Sequence, residues 1–221
     1  MIDWLQALVA PLNQVVFTLG DNGVTWAELL GFLTGGVCVW LTVRGHIANF
    51  GVGIANSAFF LVLFTSARLW ADASLQIVYI VLGFVGWWQW HAMRRIGGAT
   101  GSVAKVENAG RTELAGAVAF VVAGTAVLWP ALRGLGDSAP FLDALTTCLS
   151  LAAQWLLNAK RLQTWWFWIA ADCIYVPLYL SRDLVLTALV YLLFLGLSVA
   201  GLRSWTAAAR TRPERTPAGA R

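Results

Sequence analysis

Trp165, Trp168 and Asp172 stand at i, i+3 and i+7 in an apolar run that reads Trp-Trp-Phe-Trp-Ile-Ala-Ala-Asp. On a helix these positions share one face, and Tyr175 and Tyr179 carry the same stripe two turns further. Indole faces attract cations, and a carboxylate beside them would neutralise one, so the stripe suits a flat, polar, cationic solute. A carboxylate inside an apolar segment is costly unless it is paired, hydrated or protonated. Apart from Arg68, at the outer end of the second run, no Lys or Arg lies within the apolar runs to pair with it. A ligand's charge, a pair of hydroxyls or water must serve instead, and Asp172 is therefore a functional candidate. Trp165 lies nearer the end of the run, where an interfacial aromatic belt is the competing reading.

The elements that must position this stripe follow from composition. Hydrophobic residues make up 59% of the 221-residue chain and charged residues 12%, about half the charged fraction of a soluble domain. Several runs reach the roughly 20 residues that cross a bilayer. The chain reads as an all-α polytopic membrane protein with seven transmembrane helices, over 26–43, 50–69, 73–90, 113–132, 140–158, 164–180 and 184–202. Residues 1–22, broken by Pro11, Asn13 and Gln14, read as an interfacial or loose N-terminal segment. Beyond them the expected organisation is a first three-helix bundle (23–91), a cytoplasmic loop (92–112) and a connecting helix (113–135). A second three-helix bundle (136–205) and a disordered cytoplasmic tail (206–221) complete it.

Charge orients the spans. Loops after the first, third and fifth spans, with the C-terminus, hold twelve of the fifteen basic residues, against Arg68, Arg133 and Arg182 on the other side. The positive-inside rule places the C-terminus in the cytoplasm and the N-terminus outside, in an inner or plasma membrane. The net charge of +4 then reflects topology and gives no reason to expect nucleic acid as a partner. Met1–Gly20 lacks a basic start and carries Asp3 and Pro11, so no cleaved leader is expected. Cys38, Cys148 and Cys173 are unpaired in spacing, and the histidines, His46 and His91, sit at segment ends, so no metal site, catalytic group or cofactor is expected. No Gly-Lys-Ser/Thr phosphate loop occurs, which argues against ATP hydrolysis.

Sliding the chain against itself by 115 residues superposes Trp40-Leu41 on Trp155-Leu156 and Ile54-Ala55 on Ile169-Ala170. Without a gap, Gly86 meets Gly201, Trp90 meets Trp205 and Glu28 meets Asp143. Two copies of a three-helix unit, separated by one helix that restores direction, make a 3-1-3 arrangement of parallel repeats. This is the SWEET-like plan, with a substrate site near the midplane between repeats. Phe50, Gly53 and Ser57 occupy the places of Trp165, Trp168 and Asp172, so the aromatic-acid set exists in one repeat only. Asn56 in the second span, Gln76 and Tyr79 in the third, Gln154 and Asn158 in the fifth, and Tyr175 join the candidate substrate-binding residues. Trp87, Trp88, Trp90 and Trp205, at span ends, read as belt. The span over 113–132, largely alanine, valine and glycine, reads as a connector or packing helix.

These residues resemble a known family. Trp165-x-x-Trp168-x-x-x-Asp172 is similar to the WxxWxxx(N/D) pattern of PnuC-type nicotinamide riboside transporters. Glu28-x-x-Gly31, Gly86-Trp87-Trp88-x-Trp90 and Leu149-Ser150 through Lys160-Arg161 extend the likeness over nearly the whole chain. The resemblance implies a homotrimer and facilitated diffusion of nicotinamide riboside, a vitamin B3 precursor in NAD biosynthesis, trapped by cytoplasmic phosphorylation. It also implies substrate contacts at Trp165, Trp168 and Asp172. Many members carry Asn where this chain has Asp172, and the acid favours a cation: either the pyridinium or another vitamin such as thiamine. A ligand-binding membrane protein without transport is the remaining alternative. Alternating access at the Trp168–Asp172 face is the expected mechanism.

Overall fold

The computed structural model describes residues 10–19, 22–66, 70–96, 106–136, 139–181 and 185–210. Among them a short turn (Ala10–Asn13) leads into a hairpin of β1 (Val15–Leu19) and β2 (Asn22–Thr25). Seven helices follow among the described residues: α1 (Trp26–Val43), α2 (Ala48–Ser66), α3 (Trp70–Ile96), α4 (Arg111–Gly134), α5 (Pro140–Asn158), α6 (Thr164–Leu180) and α7 (Val185–Arg210).

Breakers set several of these ends. Pro140 opens α5 at the first turn, where its missing N–H costs nothing. Gly45, at φ 64°, closes α1 in the left-handed conformation, with Gly45 N–H donating to Thr42 O and His46 N–H to Leu41 O. The same pair of bonds closes α5, from Lys160 to Leu157 O and from Arg161 to Leu156 O. There the left-handed residue is Lys160, at φ 57°, a conformation that costs an L-residue about 1 kcal/mol.

Three expectations need correction. The stretches 15–19 and 22–25 pair as antiparallel strands and are not a helix or loose segment, because β-branched Val15, Val16, Thr18, Val24 and Thr25 favour extended backbone. The segment 92–112 is not all loop: α3 continues to Ile96 and α4 begins at Arg111, while 97–105 lie outside the described residues. The tail does not begin at 206, since Ala207–Ala209 are strong helix formers and α7 runs to Arg210; residues 211–221 lie outside the described residues. Residues 1–9 are also outside the description.

Packing joins α1–α2–α3 and α5–α6–α7 in series, and the two sets meet through α1·α7 and α3·α5, so six helices close a ring. Helix α4 packs against α5. The start of α4 is tied to the α5–α6 turn, where Arg161 contacts Glu107 at 2.6 Å and Glu113 at 3.0 Å. Matching helix ends recur down the chain: α1 and α5 end 115 residues apart, each closed by the same pair of backbone bonds. The outer faces are apolar at helical spacing, as in Leu33, Val37 and Trp40 on α1 and Ile77, Val81, Phe84 and Trp88 on α3. By length and composition, three of the described helical stretches can cross a membrane: 111–134, 140–158 and 188–210.

Candidate functional site

The ring encloses a cavity of about 330 Å³ lined by all six of its helices; no lining residue comes from α4. Eight of the nine expected residues line it: Trp165, Trp168, Asp172 and Tyr175 from α6, Gln154 from α5, Gln76 and Tyr79 from α3, and Asn56 from α2. Asp172 is the one charged side chain among the described lining residues. It is 4% exposed, and its Oδ2 accepts a hydrogen bond from Ser198 Oγ at 3.2 Å.

Asn158 stands elsewhere. It is buried behind the lining, donating to Leu82 O at 2.9 Å and accepting from Gln154 Nε2 at 3.0 Å. Its place is to join α5 to α3 and to aim Gln154. Asn56 donates to Gly31 O and, at 3.2 Å, to Thr34 Oγ1, which fixes α2 against α1. Ser150 pairs with the Tyr79 hydroxyl and Thr146 with that of Tyr175.

All four tyrosines of the chain line this cavity. Tyr175, Tyr179 and Tyr191 stack on one another with centroids 4.5–5.6 Å apart, towards the end of α6 away from the tryptophans. Tyr191, Phe194 and Ser198 on α7 also line the cavity and were not among the expected residues. They repeat the i, i+3, i+7 spacing of Trp165, Trp168 and Asp172, a signal available to periodicity but submerged in a uniformly apolar segment.

The other end is closed by two matching aromatic pairs. Phe50 meets Trp90 edge-on at 5.0 Å, and Trp165 meets Trp205 edge-on at 5.4 Å. A Cβ added at Gly86 would overlap the Phe50 ring, and one at Gly201 would overlap Trp165. Each pair thus rests on a glycine of the following helix, and the members are related by the 115-residue offset. Trp90 Nε1 donates to Leu157 O and Asn158 O at 3.3 and 3.2 Å, and Trp205 Nε1 donates to Thr42 O at 3.2 Å. The third helix of each set is thereby held to the end of the first helix of the other. Trp90 and Trp205, 1% and 2% exposed, are buried inside the ring rather than in a belt. Trp88, 72% exposed, and Trp87, 38% exposed, are not buried in the ring.

Lys160 covers this closed end. Its Nζ lies 4.4 Å from the Trp90 ring centroid, is buried, and has no hydrogen-bond partner among the described residues. Burial, and secondarily nearby Arg94, lowers its ammonium to about 8 from an ordinary 10.5. The folded chain therefore binds fewer protons than the unfolded chain between those values, and stability rises with pH across that window. The penalty is full below about pH 8 and gone above 10.5. Lys160→Met is expected to flatten the rise when unfolding temperature is measured from pH 8 to 10.5; parallel curves for the two proteins would show that the ammonium is not desolvated.

Helices apolar outside, ringed around a cavity with one acid and aromatic clusters towards both ends, are those of a multi-pass membrane transporter. Residues 25–207 match the family described as nicotinamide mononucleotide transporter, and the chain belongs to it. The nicotinamide riboside transporter PnuC of Neisseria mucosa is 26% identical over 212 residues, covering 92% of this chain and 79% of that protein. The Escherichia coli protein of the same name is 23% identical over 218 residues, covering 89% and 91%. A riboflavin/roseoflavin transporter, RibM of Streptomyces davaonensis, is 26% identical over 199 residues, covering 88% and 91%. The crystal structure of the vitamin B3 transporter PnuC superposes with a TM-score of 0.68 at 25% identity, covering 93% of this chain and 87% of that one. The family and these relatives are transporters, and the chain is a transporter of the inner or plasma membrane, not an enzyme.

Proposed function

We propose that this chain carries nicotinamide riboside across the membrane by alternating access. One observation carries the reading: Trp168 and Asp172 lie one turn apart on the wall of a cavity whose lining holds no other charged side chain among the described residues. The pyridinium would stack on Trp168 and lie against Asp172, a cation–π contact worth roughly 0.5–2 kcal/mol. Gln76, Gln154 and the tyrosine hydroxyls supply partners for the ribose and carboxamide. Trp165, pressed on Gly201 and Trp205, forms the floor.

The matching helix ends and mirrored aromatic pairs support two parallel repeats, 23–91 and 136–205, joined through α4 in a SWEET-like 3-1-3 plan. The Trp90 and Trp205 latches cross between the repeats, so rocking the repeats apart would release the floor towards the cytoplasm. The distribution of basic residues supports a cytoplasmic C-terminus and an outside N-terminus. Movement is downhill, and phosphorylation in the cytoplasm would retain the product. The assembly suggested by the family likeness is a homotrimer.

Riboflavin is the competing ligand, on the strength of the Streptomyces davaonensis relative, but its neutral ring gives a buried acid no counter-charge. Thiamine, a cation, is the third. Labelled nicotinamide riboside uptake into reconstituted vesicles, with thiamine and riboflavin as competitors, decides among them. Uptake with no chemical change in the label is expected; preferential displacement by riboflavin would reverse the assignment.

A further inference from the structure

Lys160 holds the place in the second set that Gly45 holds in the first. The two lie 115 residues apart, each left-handed, at φ 57° and 64°, where the first helix of its set closes. Glycine adopts that conformation freely and lysine does not. The lysine also buries a charge: it is 2% exposed, and its Nζ has no hydrogen-bond partner among the described residues. The carboxylates beside this turn, Glu107 and Glu113, are engaged by Arg161, and the nearby Arg94 has the same sign as Lys160. A glycine at 160 would incur neither cost. What the side chain does reach is the other repeat. Its Nζ stands 4.4 Å from the Trp90 ring centroid on α3 and 4.0 Å from where a Cβ on Gly45 would lie. It thus crosses to the mate of its own position, at the aromatic cluster of Phe50, Trp90, Trp165 and Trp205 that closes the cavity. The preceding chain pins the turn. Glu107 N–H donates to Lys160 O at 3.3 Å, Leu162 N–H donates to Glu107 O at 2.9 Å, and Val106 packs on the same cluster. Backbone fixed in this way can keep a residue in a costly conformation.

We propose that Lys160 is a positioning residue of the cytoplasmic closure: its buried ammonium works against the closed floor and sets how readily the floor opens. A buried charged donor without a hydrogen bond costs more than one ring face returns. The difference is recovered when the repeats part and water reaches Nζ. The Trp90 and Trp205 latches hold the floor shut, and Lys160 limits how firmly they do so. Movement of the ligand stays downhill, since Lys160 exchanges nothing with it. The proposal rests on the alternating access inferred above.

Cys38 lines the cavity and can report the opening, because a membrane-impermeant methanethiosulfonate reaches it from the cytoplasm only past the floor. Membrane vesicles of either orientation, holding the full-length protein with the exposed Cys173 changed to Ser, are labelled without ligand. Cationic and anionic reagents are both used, since a simple charge effect would act on them oppositely. Cys38 should be reached from both faces. Lys160→Met is expected to slow labelling from the cytoplasmic face about tenfold with either reagent, and not to slow it from the other face. Maximal nicotinamide riboside uptake should fall by the same factor, with the half-saturating concentration falling rather than rising. Lys160→Gly should behave as Lys160→Met does, and Lys160→Arg, which keeps the charge, should stay within about threefold of the parent. Unchanged or faster cytoplasmic labelling in both neutral variants overturns the role of Lys160 and leaves alternating access standing, as do opposite changes with the two reagents. Cys38 reached from one face only in the parent protein overturns alternating access and the role of Lys160 with it.

Discussion

Asp172→Leu is expected to weaken nicotinamide riboside binding by about 100-fold or more, with no loss of thermal stability. Removing one partner of a buried ion pair costs 3–5 kcal/mol, and each 1.4 kcal/mol is about tenfold in affinity. Stability should not fall, because in the empty protein Asp172 is a buried acid whose described partner is one serine. Leucine removes that desolvation, its larger side chain can extend into the cavity that Asp172 lines, and Ser198, mid-helix, can turn its hydroxyl to the carbonyl one turn back. Trp168→Ala should cost about tenfold, the range of a desolvated cation–π contact. Calorimetric titration of the purified protein, paired with an unfolding curve for each variant, separates affinity from folding. Unchanged affinity in Asp172→Leu would remove the carboxylate from the site; lower affinity with lower stability would point to a packing role instead.

Gly201→Ala is expected to be the most damaging small substitution in the ring. A methyl group there overlaps the Trp165 indole, and that ring, 1% exposed and edge-on to Trp205 at 5.4 Å, has little room to move away. Overpacking commonly costs 1–3 kcal/mol, and a clash with a locked indole belongs at about 3 kcal/mol or in a failure to fold. Trp165→Ala should rescue it: in that background Gly201→Ala should cost less than about 1 kcal/mol, a coupling expected only of residues in contact. Gly86 makes a distinguishing comparison. Its added methyl would meet both Phe50 and Asn158 Oδ1, so Phe50→Ala should rescue Gly86→Ala only in part. Unfolding temperatures of the four single variants and two doubles check this, and additive losses would mean the glycines are not there for the rings.

Much of the helix pattern was legible in the chain. The expected spans 26–43, 140–158 and 164–180 coincide with α1, α5 and α6, because strong local signals mark those ends: Gly45, Pro140 and the polar turn around Lys160-Arg161. The ends of α3 and α7 ran past expectation because apolarity measures what a bilayer tolerates, whereas a helix needs only backbone bonds and good formers. Arg94-Arg95 and Ala207–Arg210 satisfy the second condition and not the first. The strand pair 15–19 and 22–25 was hidden because Pro11, Asn13 and Gln14 break the apolar pattern just before it and suggest a loose segment.

The candidate site divides in a similar way. The stripe Trp165–Trp168–Asp172 and its lack of a basic partner are properties of residues close in the chain, and a helix must place them together. By itself the sequence determined the class of protein, the face that Trp165, Trp168 and Asp172 share, a self-similarity at an offset of 115 residues and the lack of a basic partner for Asp172 within its own span. The tertiary structure decided which faces meet. It placed Ser198 on Asp172, set Asn158 behind Gln154, and turned Trp90 and Trp205 from an expected belt into latches on the opposite set's carbonyls. Composition assigns a tryptophan near a span end to the interface. Whether its indole points to lipid or into the ring depends on the rotation of one helix against another, and that is set by contacts such as ring on glycine between residues far apart in the chain.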